Sequence, residues 1–323
     1  MPATTMARVP NLFIVGAPRC GTTSMYSYLR QHPDVYMPEE KEPRFFCSDL
    51  DSGTPMDATF FIRSWDEYLA LFRDASDQRY VGEGCIFNLF SEVAAQRIHE
   101  ASPSAKVIIM LREPAVQMFS FHAVRRGNGT EDLGFAEALA AEAERREGRR
   151  LPRLARNLKM YQYRAVASYA GQVARYFDAF GRENVHVIIH EEFARDVPGA
   201  FARTLQFLGL PPAAIEFDVE NAHRANRSQR LARALHDPVV RQRGRRLIPN
   251  FLRPWAGAAR QRLTGWNLRP AMRGQLDPAL RAQLRRELAP DVERLGQLLG
   301  RDLSALWGGA PEERLVAAQS SGT

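Results

Sequence analysis

The chain is poor in cysteine and in lysine, and it contains no long apolar run. Its three cysteines, Cys20, Cys47 and Cys85, stand in unlike contexts, with no CxxC spacing and no histidine at ligand spacing beside them. That excludes a disulfide framework and a cysteine-based zinc site. No stretch approaches the roughly 20 apolar residues that a membrane span needs. The opening MPATTMARVPNLFIVGAP lacks the basic start, long apolar stretch and small-residue cleavage site of an export signal. The expectation is a cytoplasmic protein. Of 44 basic residues only Lys41, Lys106 and Lys159 are lysines, so arginine, whose planar guanidinium suits phosphate and sulfate, carries nearly all the positive charge. Acid is missing from 239–276, which holds nine arginines, whereas the remainder carries 35 basic against 37 acidic residues. Basicity confined to one segment excludes a general nucleic-acid binder.

What is present is a chain of 323 residues with 45% apolar content, enough to fill one large α/β core and too apolar for disorder. Short β-branched runs alternate with helical patterns, with no fixed-period repeat. Strands are expected at 11–15 (NLFIV), 80–82, 106–111 (KVIIML) and 185–189 (VHVII), joined by helices. Such spacing makes parallel crossovers natural and predicts a P-loop-like three-layer fold, a mostly parallel central sheet covered by helices on both faces. From 157 to 180, Leu158, Tyr161, Val166, Tyr169, Val173, Tyr176, Phe177 and Phe180 fall on one helical stripe. Asp277-Pro278 reads as an N-cap and first helical residue, with Leu280, Leu284, Leu288, Val292, Leu295 and Leu299 as the buried face and Gly300 as the stop. One domain over 1–307 and a flexible tail over 308–323 are expected.

The strongest chemical signal is Gly16-Ala-Pro-Arg-Cys-Gly-Thr-Thr-Ser24, set between a strand and a helix. Glycines there let backbone N–H groups wrap an anion, and the helix N-terminus adds its partial positive charge. Against the triphosphatase loop GxxxxGK[ST], the glycines at 16 and 21 fit, but Thr22 fills the lysine slot and the cation has moved to Arg19. A group leaving a single phosphate needs less neutralisation than triphosphate chemistry and dispenses with metal. A second constellation lies at the end of the third strand, where Arg112 and, on the next helix, Ser120 point into the crevice in which α/β sheets bind ligands.

Taken together, the two sites resemble the sulfotransferase family that uses 3′-phosphoadenosine 5′-phosphosulfate (PAPS). Arg19, Gly21, Thr22, Thr23 and Ser24 match its 5′-phosphosulfate loop, with Cys20 inside it, and Arg112 with Ser120 matches its 3′-phosphate motif. The likeness runs on through His32-Pro33-Asp34-Val35, Lys41-Glu42-Pro43-Arg44-Phe45-Phe46 and Phe207-Leu208-Gly209-Leu210, in the order of the bacterial and glycan-modifying branches. It covers most of 11–210. The resemblance implies sulfuryl transfer from PAPS, with 3′,5′-adenosine bisphosphate as product, to a hydroxyl or amine of a small-molecule, glycan or lipid acceptor. Arg19 and the loop N–H groups would stabilise charge on the leaving phosphate.

Glu42 occupies the place of the catalytic glutamate of the glycan and tyrosyl-protein branches and is the first choice of base. Glu83, at a strand end facing the crevice, competes, because a paired carboxylate would raise its pKa. His122, two residues after Ser120, turns about 200° away on a helix and is the weakest candidate. An ion pair of Glu42 with Lys41 or Arg44 is the structural alternative. The chain also departs from the family. Gly84 stands where the glycan branch has a lysine, and Arg19 replaces a frequent loop lysine. Asn226-Arg227-Ser228 is the stretch expected to close over the 3′-phosphate through Arg227. The arginine-rich segment 239–276 reads as a lid, a surface for an anionic acceptor, a peripheral membrane contact or a solvated basic face. Two rival functions stand beside the first: a P-loop nucleotide kinase or NTPase, with Glu191-Glu192 as metal-holding acids, and a non-catalytic nucleotide-binding partner. The loops 47–66 and 125–151 carry no motif that names an acceptor.

Overall fold

A computed structural model describes residues 8–53, 57, 60–152, 155, 157–217, 224–226, 268–270 and 275–308. Five strands, β1 (Leu12–Gly16), β2 (Val35–Tyr36), β3 (Tyr80–Gly84), β4 (Lys106–Leu111) and β5 (Val185–Ile189), form one sheet in the order β2-β3-β1-β4-β5. Every pairing in it is parallel. The continuous apolar runs of β1 and β4 follow from this, since helices cover both faces and nearly every residue of the two strands is buried. The intervening helices are α1 (Thr22–Arg30), α2 (Trp65–Ala70), α3 (Ala94–Ala101), α4 (Pro114–Gly127), α5 (Phe135–Ala140), α6 (Glu142–Arg146), α7 (Tyr163–Ala167) and α8 (Ala170–Phe180). After β5 come α9 (His190–Arg195), α10 (Val197–Leu208), a two-stranded antiparallel pair β6 (Arg224–Asn226) and β7 (Leu268–Pro270), then α11 (Pro278–Leu299) and α12 (Leu303–Gly308).

The four expected strands are all present, and β2 is an addition. At two residues it is too short to show a period, and only its pairing of Val35 with Tyr80 and of Tyr36 with Val81 makes it a strand. The register of β1 against β4 slips between Ile14 and Gly16, where the chain leaves the sheet for the glycine loop. The C-terminal helix has the caps its sequence announces. Asp277 Oδ1 accepts from the Leu280 amide at 2.8 Å, and Gly300 closes the helix at φ 67°. Leu284, Leu288 and Leu295 are buried, with Leu280, Val292 and Leu299 packed at the margin.

The helical stripe expected over 157–180 is broken into a 3-10 turn (Leu158–Tyr161), α7 and α8. Leu158 is exposed, and Tyr161, Tyr163 and Tyr169 are buried. Buried phenols need acceptors, and Tyr163 finds Glu131 Oε2 at 2.8 Å while Tyr161 finds the Thr130 carbonyl. Gln172 Nε2 caps the break by donating to the carbonyls of Ala165, Val166 and Ser168. Arg227 and nearly all of 239–276 lie outside the described residues, as does most of the 308–323 tail. Among the described residues, no helix is long and apolar enough to cross a membrane.

Candidate active site

The loop after β1 is fastened to β4 and α4. The Ala17 amide donates to the Met110 carbonyl at 2.6 Å, and Gln117 Nε2 donates to the Pro18 carbonyl at 3.0 Å. Arg19 sits in the left-handed region at φ 66°. Its Nε donates to Ser120 Oγ at 3.2 Å, while its carbonyl accepts from Arg112 Nη1 at 3.4 Å. Residues 93 and 101 positions downstream are thereby brought onto the loop. Gly21 then starts α1 at φ 94°, and a Cβ there would press on Met110, Phe193 and His190 at 3.2 to 3.3 Å. Only glycine satisfies both the dihedral and the space. The first-turn N–H groups of Thr22, Thr23 and Ser24 have no acceptor within the helix, and no acid occupies that turn.

Arg112 leaves the carboxyl end of β4 and is 9% exposed. Among the described residues it makes no ion pair, and its Nε is buried without a hydrogen-bond partner. A guanidinium held in this state beside Arg19 and Ser120 fits an anion. The next residue is the opposite case. The Glu113 carboxylate is buried and takes Arg281 and Arg285 of α11, with both Nε atoms on Oε1 at 2.9 and 2.8 Å. Its amide donates to Glu191 Oε1 at 3.1 Å, and Trp307 Nε1 donates to Glu191 Oε2 at 3.1 Å. Glu191 and Glu192, the metal-holding acids of the kinase reading, are thus engaged in structural bonds, Glu192 with Arg301. Among the described residues, no three His, Cys, Asp or Glu side chains cluster as metal ligands.

The third wall is the loop 38–46. The Glu42 amide donates to the Gly84 carbonyl at 2.9 Å, tying the loop to the end of β3. Glu42 and Arg44 both have left-handed backbones, at φ 60° and 57°. Arg44 Nη2 donates to Glu42 Oε2 at 2.9 Å, so the ion pair that the sequence offered as an alternative is present. Arg44 is in turn stacked on Phe87, its guanidinium carbon 4.7 Å from the ring centroid. Glu42 keeps 26% of its side chain exposed.

Glu83 does not meet the expectation that it faces the crevice. It is 1% exposed, accepting from Asn88 Nδ2 at 3.0 Å and from the Tyr68 hydroxyl. Its carboxyl is pushed up to about 7 by burial, against the pull of those two donors, and no second carboxylate takes part. His122 is buried against Phe135 and Tyr163 with Nε2 at 3.0 Å from the Leu133 carbonyl, away from the loop as its helical phase requires. Cys20 points inward, its thiol pushed up to about 12 by burial, so any anion contact it makes runs through the backbone. Cys47 and Cys85 are likewise buried thiols.

Several contacts went unread in the sequence. Gln117 lies three residues before Ser120 on one face of α4, a spacing that could have flagged it. His190 Nδ1, 3.2 Å from the Cys20 carbonyl, and Lys41, whose Nζ donates to Thr23 Oγ1 at 3.2 Å, had no local signal.

A parallel sheet whose first strand feeds a glycine loop and helix, with an arginine from the neighbouring strand end folded onto that loop, defines a P-loop-like α/β protein. The chain belongs to the sulfotransferase family, whose model matches residues 10–214. It is 35% identical to a crystallised sulfotransferase from Alicyclobacillus acidocaldarius, with a TM-score of 0.69 over 93% of this chain and 99% of that one. Human carbohydrate sulfotransferase 15 is 23% identical over 63% of this chain and 44% of its own length. Mouse heparan sulfate glucosamine 3-O-sulfotransferase 6 is 31% identical over 36% of this chain and 30% of its own. The chain spans less than half the length of these curated relatives.

Proposed function

We propose that the protein transfers the sulfuryl group of PAPS to an acceptor hydroxyl, with the donor lying across the loop and the end of β4. The observation that carries this reading is the direct contact of Arg19 with Ser120 and of Arg112 with the Arg19 carbonyl. One rigid unit then grips both ends of a doubly phosphorylated nucleotide. PAPS supplies an SO3 group joined to a phosphate oxygen, which keeps the bonding electron pair when the S–O bond breaks. Arg19 and the amides of Cys20, Gly21, Thr22, Thr23 and Ser24 hold the 5′-phosphate, and their fixed dipoles meet the charge that collects there. Arg112 and Ser120 hold the 3′-phosphate, with Arg227 assigned by the family likeness alone.

Glu42 takes the acceptor proton. Its side chain is partly open to solvent, and Arg44 pairs with its carboxylate. Glu83, sealed in the core, serves structure. The names of the carbohydrate and heparan sulfate relatives support a sugar hydroxyl as the acceptor class. The kinase reading loses its metal-holding acids to structural bonds, while the amine acceptor stays beside the hydroxyl, because heparan sulfate N-deacetylase/N-sulfotransferases are also among the relatives.

Calorimetric titration of the purified protein with 3′,5′-adenosine bisphosphate, against ATP with Mg2+, tests the reading. Micromolar binding of the bisphosphate that weakens about tenfold or more in Arg112→Ala, with feeble ATP binding, is the expected result. Glu42→Gln should keep that affinity and lose turnover by about 100-fold or more with PAPS and a sugar acceptor. Tight Mg2+-dependent ATP binding without response to the bisphosphate would overturn the assignment. Full activity in Glu42→Gln would remove Glu42 as base.

A further inference from the structure

Lys41 departs from the other two lysines in its surroundings. Lys106 donates to Asn184 Oδ1 at 2.9 Å and to the Glu183 carbonyl, at the start of β4 and far from the loop. Lys159 lies 3.7 Å from the Asp49 carboxylate with half its side chain exposed. Lys41 instead extends over the end of β3 to the second residue of α1, where Nζ meets Thr23 Oγ1 at 3.2 Å. Its ammonium lies 4.8 Å from the centroid of the Tyr26 ring, which flanks the stem.

This path runs past residue 84, which has no side chain. A Cβ on Gly84 would stand 2.7 Å from Tyr26 Cδ2 and 3.6 Å from Lys41 Cε. A side chain there would have to displace the ring that flanks the lysine, whereas its Cβ would meet Lys41 Cε only at ordinary contact distance. The loop around Lys41 is fixed on its other side by the Glu42 amide on the Gly84 carbonyl, and Tyr26 is fixed by its hydroxyl on the Pro38 carbonyl. The ammonium is therefore held at the first turn of the helix whose amides form the anion cradle.

We propose that Lys41 is a further donor-binding residue, placing its ammonium against the 5′-phosphate held by the loop, in the space that Gly84 leaves open. The inference rests on the proposed use of PAPS. It resolves the apparent shortage of point charge in a loop whose lysine slots hold Thr22 and Arg19 and whose strand end holds glycine. Lysine brings three rotatable donors and a compact charge, which a fixed guanidinium fork does not replace at a tetrahedral phosphate shared with backbone amides.

The test separates the two ends of the nucleotide. Wild-type protein, Lys41→Met, Lys41→Gln and Arg112→Ala are titrated with 3′,5′-adenosine bisphosphate and with adenosine 3′-phosphate, which lacks the 5′-phosphate. Lys41→Met and Lys41→Gln should weaken the bisphosphate by about tenfold and leave adenosine 3′-phosphate unchanged, whereas Arg112→Ala weakens both. Unchanged bisphosphate affinity in both Lys41 variants, with the wild type binding well, overturns the role of Lys41 and leaves the sulfotransferase reading standing. Equal loss of both ligands in the Lys41 variants also overturns it, because the lysine would then serve only the loop's architecture. Failure of the wild type to bind either ligand defeats the proposed function and this inference with it.

Discussion

Glu42 and Glu83 come within a hydrogen bond of one another along the backbone, through the Glu42 amide and the Gly84 carbonyl, yet their carboxyls occupy opposite environments. The first faces solvent beside an arginine, and the second lies in the core with a phenol and an amide as its donors. Burial makes the Glu83 proton a stability determinant. The folded protein holds it up to about pH 7, while the unfolded chain releases it near 4.5, so the folded state carries the extra proton between those values. Stability conferred by this group therefore falls as pH rises from about 4.5 to about 7 and is level outside that window. The whole drop is on the order of 3 kcal/mol. Glu83→Gln should remove it, and denaturant unfolding at pH 5 and pH 8 will show a smaller difference for the variant than for the wild type. An identical pH dependence in both proteins would place the proton elsewhere.

At the scale of elements, the site is the meeting of three strand ends, and a helix remote in sequence holds one of them in place. Glu113 stands at the N-terminal boundary of α4, immediately after Arg112, and its carboxylate is filled by Arg281 and Arg285 from α11. The arginines keep 22% and 27% of their side chains exposed, so solvent screens part of the attraction. Glu113→Ala is expected to cost about 1–3 kcal/mol, less than a fully buried pair would. Because the same residue anchors the start of α4, the variant should also weaken the bisphosphate severalfold by loosening Arg112. Thermal unfolding and calorimetry of one preparation check both effects. Loss of stability with undiminished affinity would confine the α11 contact to packing. The leucine stripe of α11 announced a buried helix but not this second duty, since Arg281 and Arg285 resemble any solvated basic pair until Glu113 is seen beneath them.

Across the whole molecule, three of the strands were legible because apolar runs of five or six residues bounded by helical patterns have few other solutions. The glycine loop was legible because Gly21 answers a local demand of dihedral and space, and such demands are written locally. Arg112 and Ser120 could be placed at a strand end and a helix face by period alone, and the fold brings them to Arg19. Where the reading failed, contacts distant in sequence decided. The stripe over 157–180 broke into a 3-10 turn and two helices whose start is tied to the distant loop at Thr130 and Glu131 through the Tyr161 and Tyr163 hydroxyls, contacts that no helical wheel contains. Glu83 was expected in the crevice from its strand end, but the side-chain alternation of a strand and the packing of Tyr68 and Asn88 turned it inward. Lys41 was read only as a partner for its neighbour, although the fold carries it past Gly84 to Thr23. The sequence by itself determined the class of fold, the anion loop and the family pattern, because these depend on periodicity and short-range geometry. Only the tertiary structure decided which charges gather at the glycine loop and which are consumed in the core, because burial and pairing depend on residues that meet through folding.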